Sequence, residues 1–149
     1  MQRNKPPWLK VKAPGGERYT WIKHKARELG LHTVCEEAHC PNIGECWSSG
    51  TATFMVMSDI CTRGCRFCAV KSAKYPNVLD ADEPSKLADT IKKMNLNYVV
   101  LTTVNRDDLA NQGAPHISRC IKAIQNRSPR LFIEMLMPDF RGDKELLQK

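Results

Sequence analysis

Missing from these 149 residues is any apolar run near the roughly 20 residues that cross a bilayer. The opening MQRNKPPWLKVK also lacks the apolar core of a secretory leader. Together these absences predict a cytoplasmic protein with no membrane partner. They also decide how the seven cysteines at 35, 40, 46, 61, 65, 68 and 120 are read, because a reducing compartment disfavours disulfides and favours metal-bound or catalytic thiolates. Six of the seven fall between residues 35 and 68, which is a metal pattern. Also absent are low-complexity tracts and any repeat at a period of about 20 to 50 residues. What is left is enough chain for one domain with a real core, short of a closed (β/α) barrel.

Acidic residues are scarce at the start. Residues 1–30 hold only Glu17 and Glu28 against eight Lys and Arg, so six of the seven net positive charges lie there. Such an arm suits nucleic acid, an acidic protein, or simply solvent. Pro6, Pro7, Pro14, Gly15 and Gly16 break periodic structure and predict an extended arm over residues 1–19, lying across something larger. Thr20 is expected to cap a short helix through Leu29, with Ile22, Ala26 and Leu29 on one face and Gly30 as its stop. Residues 35–50, with three cysteines among Pro and Gly, read as an irregular loop.

From residue 51 the pattern changes. Three short apolar runs, Thr53 to Met57, Tyr98 to Leu101 and Leu131 to Leu136, read as buried strands. Between them Pro84 opens a helix with Leu87, Ala88, Ile91 and Met94 on its apolar face. Pro115 opens another with Ile117, Cys120, Ile121 and Ile124. This βαβαβ order predicts a parallel sheet with right-handed crossovers, and Gly142 to Lys149 reads as the start of a third helix. The expected division is an arm over residues 1–50 and an α/β unit over residues 51–149.

The loop after the first strand is DICTRGCRFC, where Cys61, Cys65 and Cys68 have spacing C-x3-C-x2-C. It falls where α/β folds place their ligands, at the carboxyl end of the strands. A structural zinc site wants four ligands, commonly two C-x2-C pairs, and here only Cys65 and Cys68 form one. A zinc reading would have to recruit His39 or an earlier cysteine. A cubane iron–sulfur cluster held by three thiolates keeps one iron open for a substrate or cofactor. Arg63 and Arg66 favour thiolates and an anionic cluster over inert buried thiols.

Cysteines 61, 65 and 68 with aromatic Phe67 resemble the signature of radical S-adenosylmethionine enzymes. The resemblance implies that the open iron chelates the amino and carboxylate groups of S-adenosylmethionine. One electron then cleaves its carbon–sulfur bond, and the 5′-deoxyadenosyl radical abstracts a substrate hydrogen. Phe67 would lie near the adenine, core packing being the other reading.

A second triplet, Cys35, Cys40 and Cys46 in CEEAHCPNIGECW, has spacing C-x4-C-x5-C. Taken alone it suits zinc as well as a cluster. Taken in order with the first triplet, and with ATFM, TTVNRDDL and IEMLMPDF, it resembles the lipoyl synthase family across nearly the whole chain. The resemblance implies two [4Fe-4S] clusters, the second an auxiliary one consumed as sulfur donor. It implies sulfur insertion at C6 and C8 of an octanoyl chain on a lipoyl domain or carrier protein. A flavodoxin or ferredoxin type of electron donor and an iron–sulfur carrier protein are the further partners it implies; nucleic acid is not expected. The family's carboxy-terminal Arg-Ser-Ser-Tyr, source of the serine ligand to the auxiliary cluster, is absent, and Ser48-Ser49 stands in the wrong context to replace it. The expected fold is therefore a partial (β/α) barrel of the radical S-adenosylmethionine type. It would be truncated after three strands, poorly stable and inactive alone, with an irregular cysteine-bearing arm. Competing readings are a radical methylthiotransferase acting on tRNA, a ferredoxin-like electron carrier and a zinc-binding interaction module.

Thr103, Asn105, Arg106, Asp107 and Asp108 enter the second βα loop, suited to the polar groups of a nucleotide-like cofactor or to capping a turn. Glu134 interrupts an apolar strand, so a ribose hydroxyl or an arginine is its expected partner. Cys120 reads as a core thiol without chemistry.

Overall fold

A computed structural model of the chain describes residues 6–9, 13–96 and 98–148. Arg3, Lys5, Lys10 and Lys12, half of the basic residues that define the arm, lie outside the described residues, as does Lys149. Among the described residues no helix is long and apolar enough to cross a membrane.

The first helix, α1, spans Glu17–Glu28 with Gly16 as N-cap, so it begins before Thr20. Glu17 is its first-turn acid, on the positive end of the helix dipole. Thr20 is already inside, its hydroxyl donating to the Gly16 carbonyl at 2.9 Å. Ile22 and Ala26 are buried as expected, and Gly30 ends the turn at φ 63°. Residues 35–50, expected to be irregular, are ordered instead. Strand β1 (His32–Thr33) leads into α2 (Val34–Glu37), and α3 (Ile43–Ser49) follows. The reason is local: Thr33 caps α2, its Oγ1 accepting the Glu36 N–H at 3.3 Å and its hydroxyl meeting the Glu36 carboxylate at 3.4 Å. Trp47 and Ile43 of α3 are buried, and Gly50 ends that helix in the left-handed region at φ 88°. The arm passes over α3 so closely that a Cβ on Gly44 would stand 2.8 Å from Pro14 Cα.

Strand β2 (Thr51–Val56) begins the α/β part. After the short pair β3 (Ile60–Cys61) and β4 (Lys71–Ser72) come α4 (Glu83–Met94), β5 (Tyr98–Thr103), α5 (Ala114–Arg127) and β6 (Phe132–Leu136). The main sheet has order β1-β2-β5-β6, with β2, β5 and β6 parallel and β1 antiparallel to β2. Among the described residues it does not close into a barrel. Pro84 and Pro115 stand in the first turns of α4 and α5, where a missing N–H costs nothing. Strands β2, β5 and β6 lie in sequential order, and α4 and α5 between them pack against each other. There Leu87, Ile91, Ile117, Cys120 and Ile124 bury Ala52, Phe54, Val99 and Leu101 in one core. Each large aliphatic side chain contributes roughly 1.5–3 kcal/mol there.

The opposite face of β5 and β6 has no such cover. Tyr98 pairs with Phe132 and Val100 with Glu134 across the strands, and Phe132 is 70% exposed. The third strand is thus not the buried strand its apolar letters predict, because only its Ile133 and Met135 side reaches the core. The expected third helix is present but short. A 3-10 turn over Phe140–Gly142 precedes a short α6 (Lys144–Leu147), whose cap is the Asp143 carboxylate accepting from the Glu145 and Leu146 amides.

Candidate functional site

The residues after β2 turn sharply, with Met57 at φ 75° and Ser58 at φ 111°, before β3 delivers Cys61. Cys61 is buried, and its sulfur accepts backbone N–H groups from Arg63 at 3.4 Å and Asn105 at 3.3 Å. Cys65 and Cys68 are exposed, joined by a turn in which the Cys68 N–H reaches the Cys65 carbonyl at 3.0 Å. One sulfur is therefore anchored and two are presented to solvent. Phe67 beside them is 93% exposed, which removes core packing as its role.

Arg63 ties this loop to the ends of the other parallel strands. Its Nε and Nη2 meet Asp107 at 2.8 and 2.9 Å in a two-pronged pair, and its Nη1 reaches Asp139, just past β6, at 3.1 Å. Arg141 adds a second cation to Asp107 at 3.0 Å. The hydrogen bonds and charge of Arg63, helped by the Thr62 hydroxyl and Arg141, outweigh burial and hold the Asp107 carboxyl down at about 2. Asp139 is likewise lowered, chiefly by Arg63. Thr62 completes the junction: its hydroxyl bonds the Asn105 carbonyl and Asp107, and its N–H donates to Asn105 O at 3.0 Å. The loops after β2, β5 and β6 thus converge on one ionic knot at the carboxyl end of the sheet.

The other expected cofactor contacts divide. Asn105 touches the cysteine loop through its backbone, and Asp107 does so through its side chain. Thr103 ends β5, half-buried. Arg106 turns inward, 2% exposed and paired with Asp108 through two 2.8 Å bonds. Its Nη1 is buried with no hydrogen-bond partner among the described residues. Glu134 is exposed on the open face, where the Tyr98 hydroxyl from the neighbouring strand donates to it. The partner is therefore a tyrosine, and water reaches the carboxylate. Asp139 and Arg141 were missed by sequence reasoning, although MPDFR follows the third strand as NRDD follows the second.

The second triplet sits on the two short helices. Cys35 is buried in α2, Cys40 follows that helix, and Cys46 is in α3. The Cys40 N–H donates to the Cys35 carbonyl at 3.0 Å, folding the two together. Burial, and then the negative charges of Cys35, Cys40 and Glu45, push the Cys46 thiol up. His39 between them is exposed and uses Nδ1 on the Glu37 carbonyl at 3.2 Å.

All seven cysteines are free thiols. Two sets of three free thiols, one beside Arg63 and anchored by two amides, offer soft donors suited to a metal centre, although neither set brings its three sulfurs within 4.8 Å of one another. Comparison with known families agrees. Residues 1–40 match the model described as the N-terminal domain of lipoyl synthase of the Radical SAM family, and residues 55–149 match that of the Radical SAM superfamily. The superfamily match implies S-adenosylmethionine and an iron–sulfur cluster. The chain is 54% identical over 151 residues to a lipoyl synthase of Halobacterium salinarum, covering 99% of this chain and 48% of that protein. It is 52% identical over 149 residues to the mitochondrial lipoyl synthase of Homo sapiens, covering 97% and 40%. For the mitochondrial lipoyl synthase of Picea sitchensis the figures are 51% over 150 residues, 97% and 39%. The chain thus spans half or less of the length of these relatives. It belongs to the radical S-adenosylmethionine superfamily, and its similarity to lipoyl synthases runs over nearly its whole length.

Proposed function

We propose that this chain supplies the amino-terminal part of a lipoyl synthase, which inserts sulfur at C6 and C8 of octanoyl groups on a lipoyl domain or carrier protein. The observation that carries this reading is the repeated three-thiol set: Cys61, Cys65 and Cys68 on the first βα loop, and Cys35, Cys40 and Cys46 on α2, α3 and their link. Each set holds a [4Fe-4S] cluster, and the second cluster is a substrate, consumed as sulfur donor. When bound, the first cluster with S-adenosylmethionine supplies the electron and the radical that remove otherwise inert C–H hydrogens.

The chain's own residues do the positioning. Asn105 and Arg63 amides orient the Cys61 sulfur, and the Arg63–Asp107–Asp139 knot sets the loop that carries Cys65 and Cys68. With its carboxylate engaged by two arginines, Asp107 acts on the cofactor through this loop; Arg106, paired with Asp108, holds the second loop. Phe67, Thr103, Asn105 and Glu134 are the contacts assigned to S-adenosylmethionine. Apolar side chains on the uncovered face of β5 and β6 support reading the sheet as part of a (β/α) barrel, with residues 1–50 as an arm and 51–149 as the barrel portion. Partners are a flavodoxin- or ferredoxin-type electron donor and an iron–sulfur carrier. Free thiols suit the cytoplasm, or the mitochondrion as in the named human and spruce relatives.

Anaerobic reconstitution tests this. Two cubanes, about eight irons per chain, are expected, falling by about half when Cys61, Cys65 and Cys68 become Ala. Stoichiometric zinc without iron would overturn the reading.

A further inference from the structure

Away from both triplets lies a buried polar cluster that the proposed chemistry does not use. Glu83, the first residue of α4, is 7% exposed, and His116, in the first turn of α5, is 2% exposed. A buried carboxylate needs compensation. Glu83 finds it in the Met57 N–H, 3.0 and 3.2 Å from its two oxygens, and in His116 Nε2 at 2.5 Å. The tautomer follows from Arg119, which can only donate: its Nη2 contacts His116 Nδ1 at 3.3 Å, so Nδ1 accepts and Nε2 carries the proton toward Glu83.

Met57 opens the sharp turn that ends β2 and starts the cysteine loop. Both Met57 and Ser58 lie in the left-handed region, which bulky residues enter only under constraint. The constraint comes from both ends of the residue. Glu83 holds its amide, and its side chain is wedged against Gly113, where a Cβ would stand 2.1 Å from the Met57 sulfur.

We propose that Glu83 and His116 are positioning residues that hold the Met57–Ser58 turn in its strained form, and so fix where the Cys61, Cys65 and Cys68 loop leaves the sheet. The Arg63 knot fixes the far side of that loop; the Glu83 brace fixes its near side. The inference rests on the cluster reading for that loop, but the hydrogen bond itself is testable without metal.

The test uses the full chain with Cys35, Cys40 and Cys46 replaced by Ala, so that iron reports the first triplet alone, about four atoms per chain. Glu83→Ala is expected to speed amide exchange at Met57 by about tenfold or more in the metal-free protein, the loss of a hydrogen bond to a charged acceptor. It is expected to cut reconstituted iron at least by half. Glu83→Gln keeps an acceptor oxygen and should restore most of both. Cys120→Ala, in the same buried cluster but bonded to neither Met57 nor Glu83, controls for general loosening and should change neither. Unchanged Met57 exchange in Glu83→Ala, or equal iron loss in Cys120→Ala, would overturn the proposal. If the parent takes up no iron, the cluster reading fails instead, while the Met57 exchange result still decides the brace.

Discussion

The two cysteine triplets are built by opposite means. Cys35, Cys40 and Cys46 span 12 residues of chain and are arranged by short helices, a threonine cap and a buried tryptophan, all within reach of local sequence. Cys61, Cys65 and Cys68 sit on a loop whose shape depends on partners far along the chain, Asp107, Asp139 and Glu83. One site is locally encoded, and the other exists only once three parallel strands are in place. The difference suits the proposed roles: a site to be emptied tolerates light support, and a site that must orient a cofactor needs several elements to agree.

That contrast can be broken or sharpened in order of expected effect. Trp47→Ala empties the core between α1 and α3, where Trp47 also packs on Tyr19 with ring centroids 5.1 Å apart. It should cost about 3–5 kcal/mol in denaturant unfolding and weaken iron retention at the Cys35 set before the Cys61 set. Equal loss at both would mean that the sites are not independently built. Arg63→Ala removes the link among three loops and should cost about 1.5–3 kcal/mol. Iron should then be lost from the Cys61 set, with the other set unaffected in metal analysis of the single variant.

The same knot predicts an acid limb. Because Asp107 ionises at about 2 in the folded chain against a usual 3.8, its stabilisation is fully present above about pH 4 and is lost as pH falls toward 2. Asp139, lowered by the same arginine, adds in the same direction. Stability measured from pH 5 to 2 should drop more steeply in the parent than in Arg63→Ala; superimposable slopes would remove the knot from the account. Smallest is Thr33→Ala, which deletes the α2 cap and should cost about 1 kcal/mol, felt at the Cys35 set alone.

Much of this was legible beforehand. Pro84 and Pro115 marked the two long helices, and their apolar faces were read correctly because a 3.6-residue period reports directly on a buried stripe. The capping residue Thr33 was present in the letters, yet Pro and Gly nearby suggested a loop. Strand Phe132–Leu136 was misjudged as buried, since apolar residues on consecutive positions do not say whether the second face has cover. Arg106 illustrates a further limit. Sequence placed it in the second loop among residues suited to a cofactor's polar groups, but which way the guanidinium turns depends on Asp108 and on the packing around it.

Sequence by itself determined the chemistry available: two sets of three thiols, their order, and the alternation of strands and helices, because residue type and spacing are local properties. Only the tertiary structure decided that Cys61 is anchored while Cys65 and Cys68 face solvent, that Arg63 gathers three loop ends, and that Glu83 and His116 brace the turn before them. Those contacts join residues 26 to 76 positions apart, and no local pattern specifies which charges meet when strands far apart in the chain become neighbours.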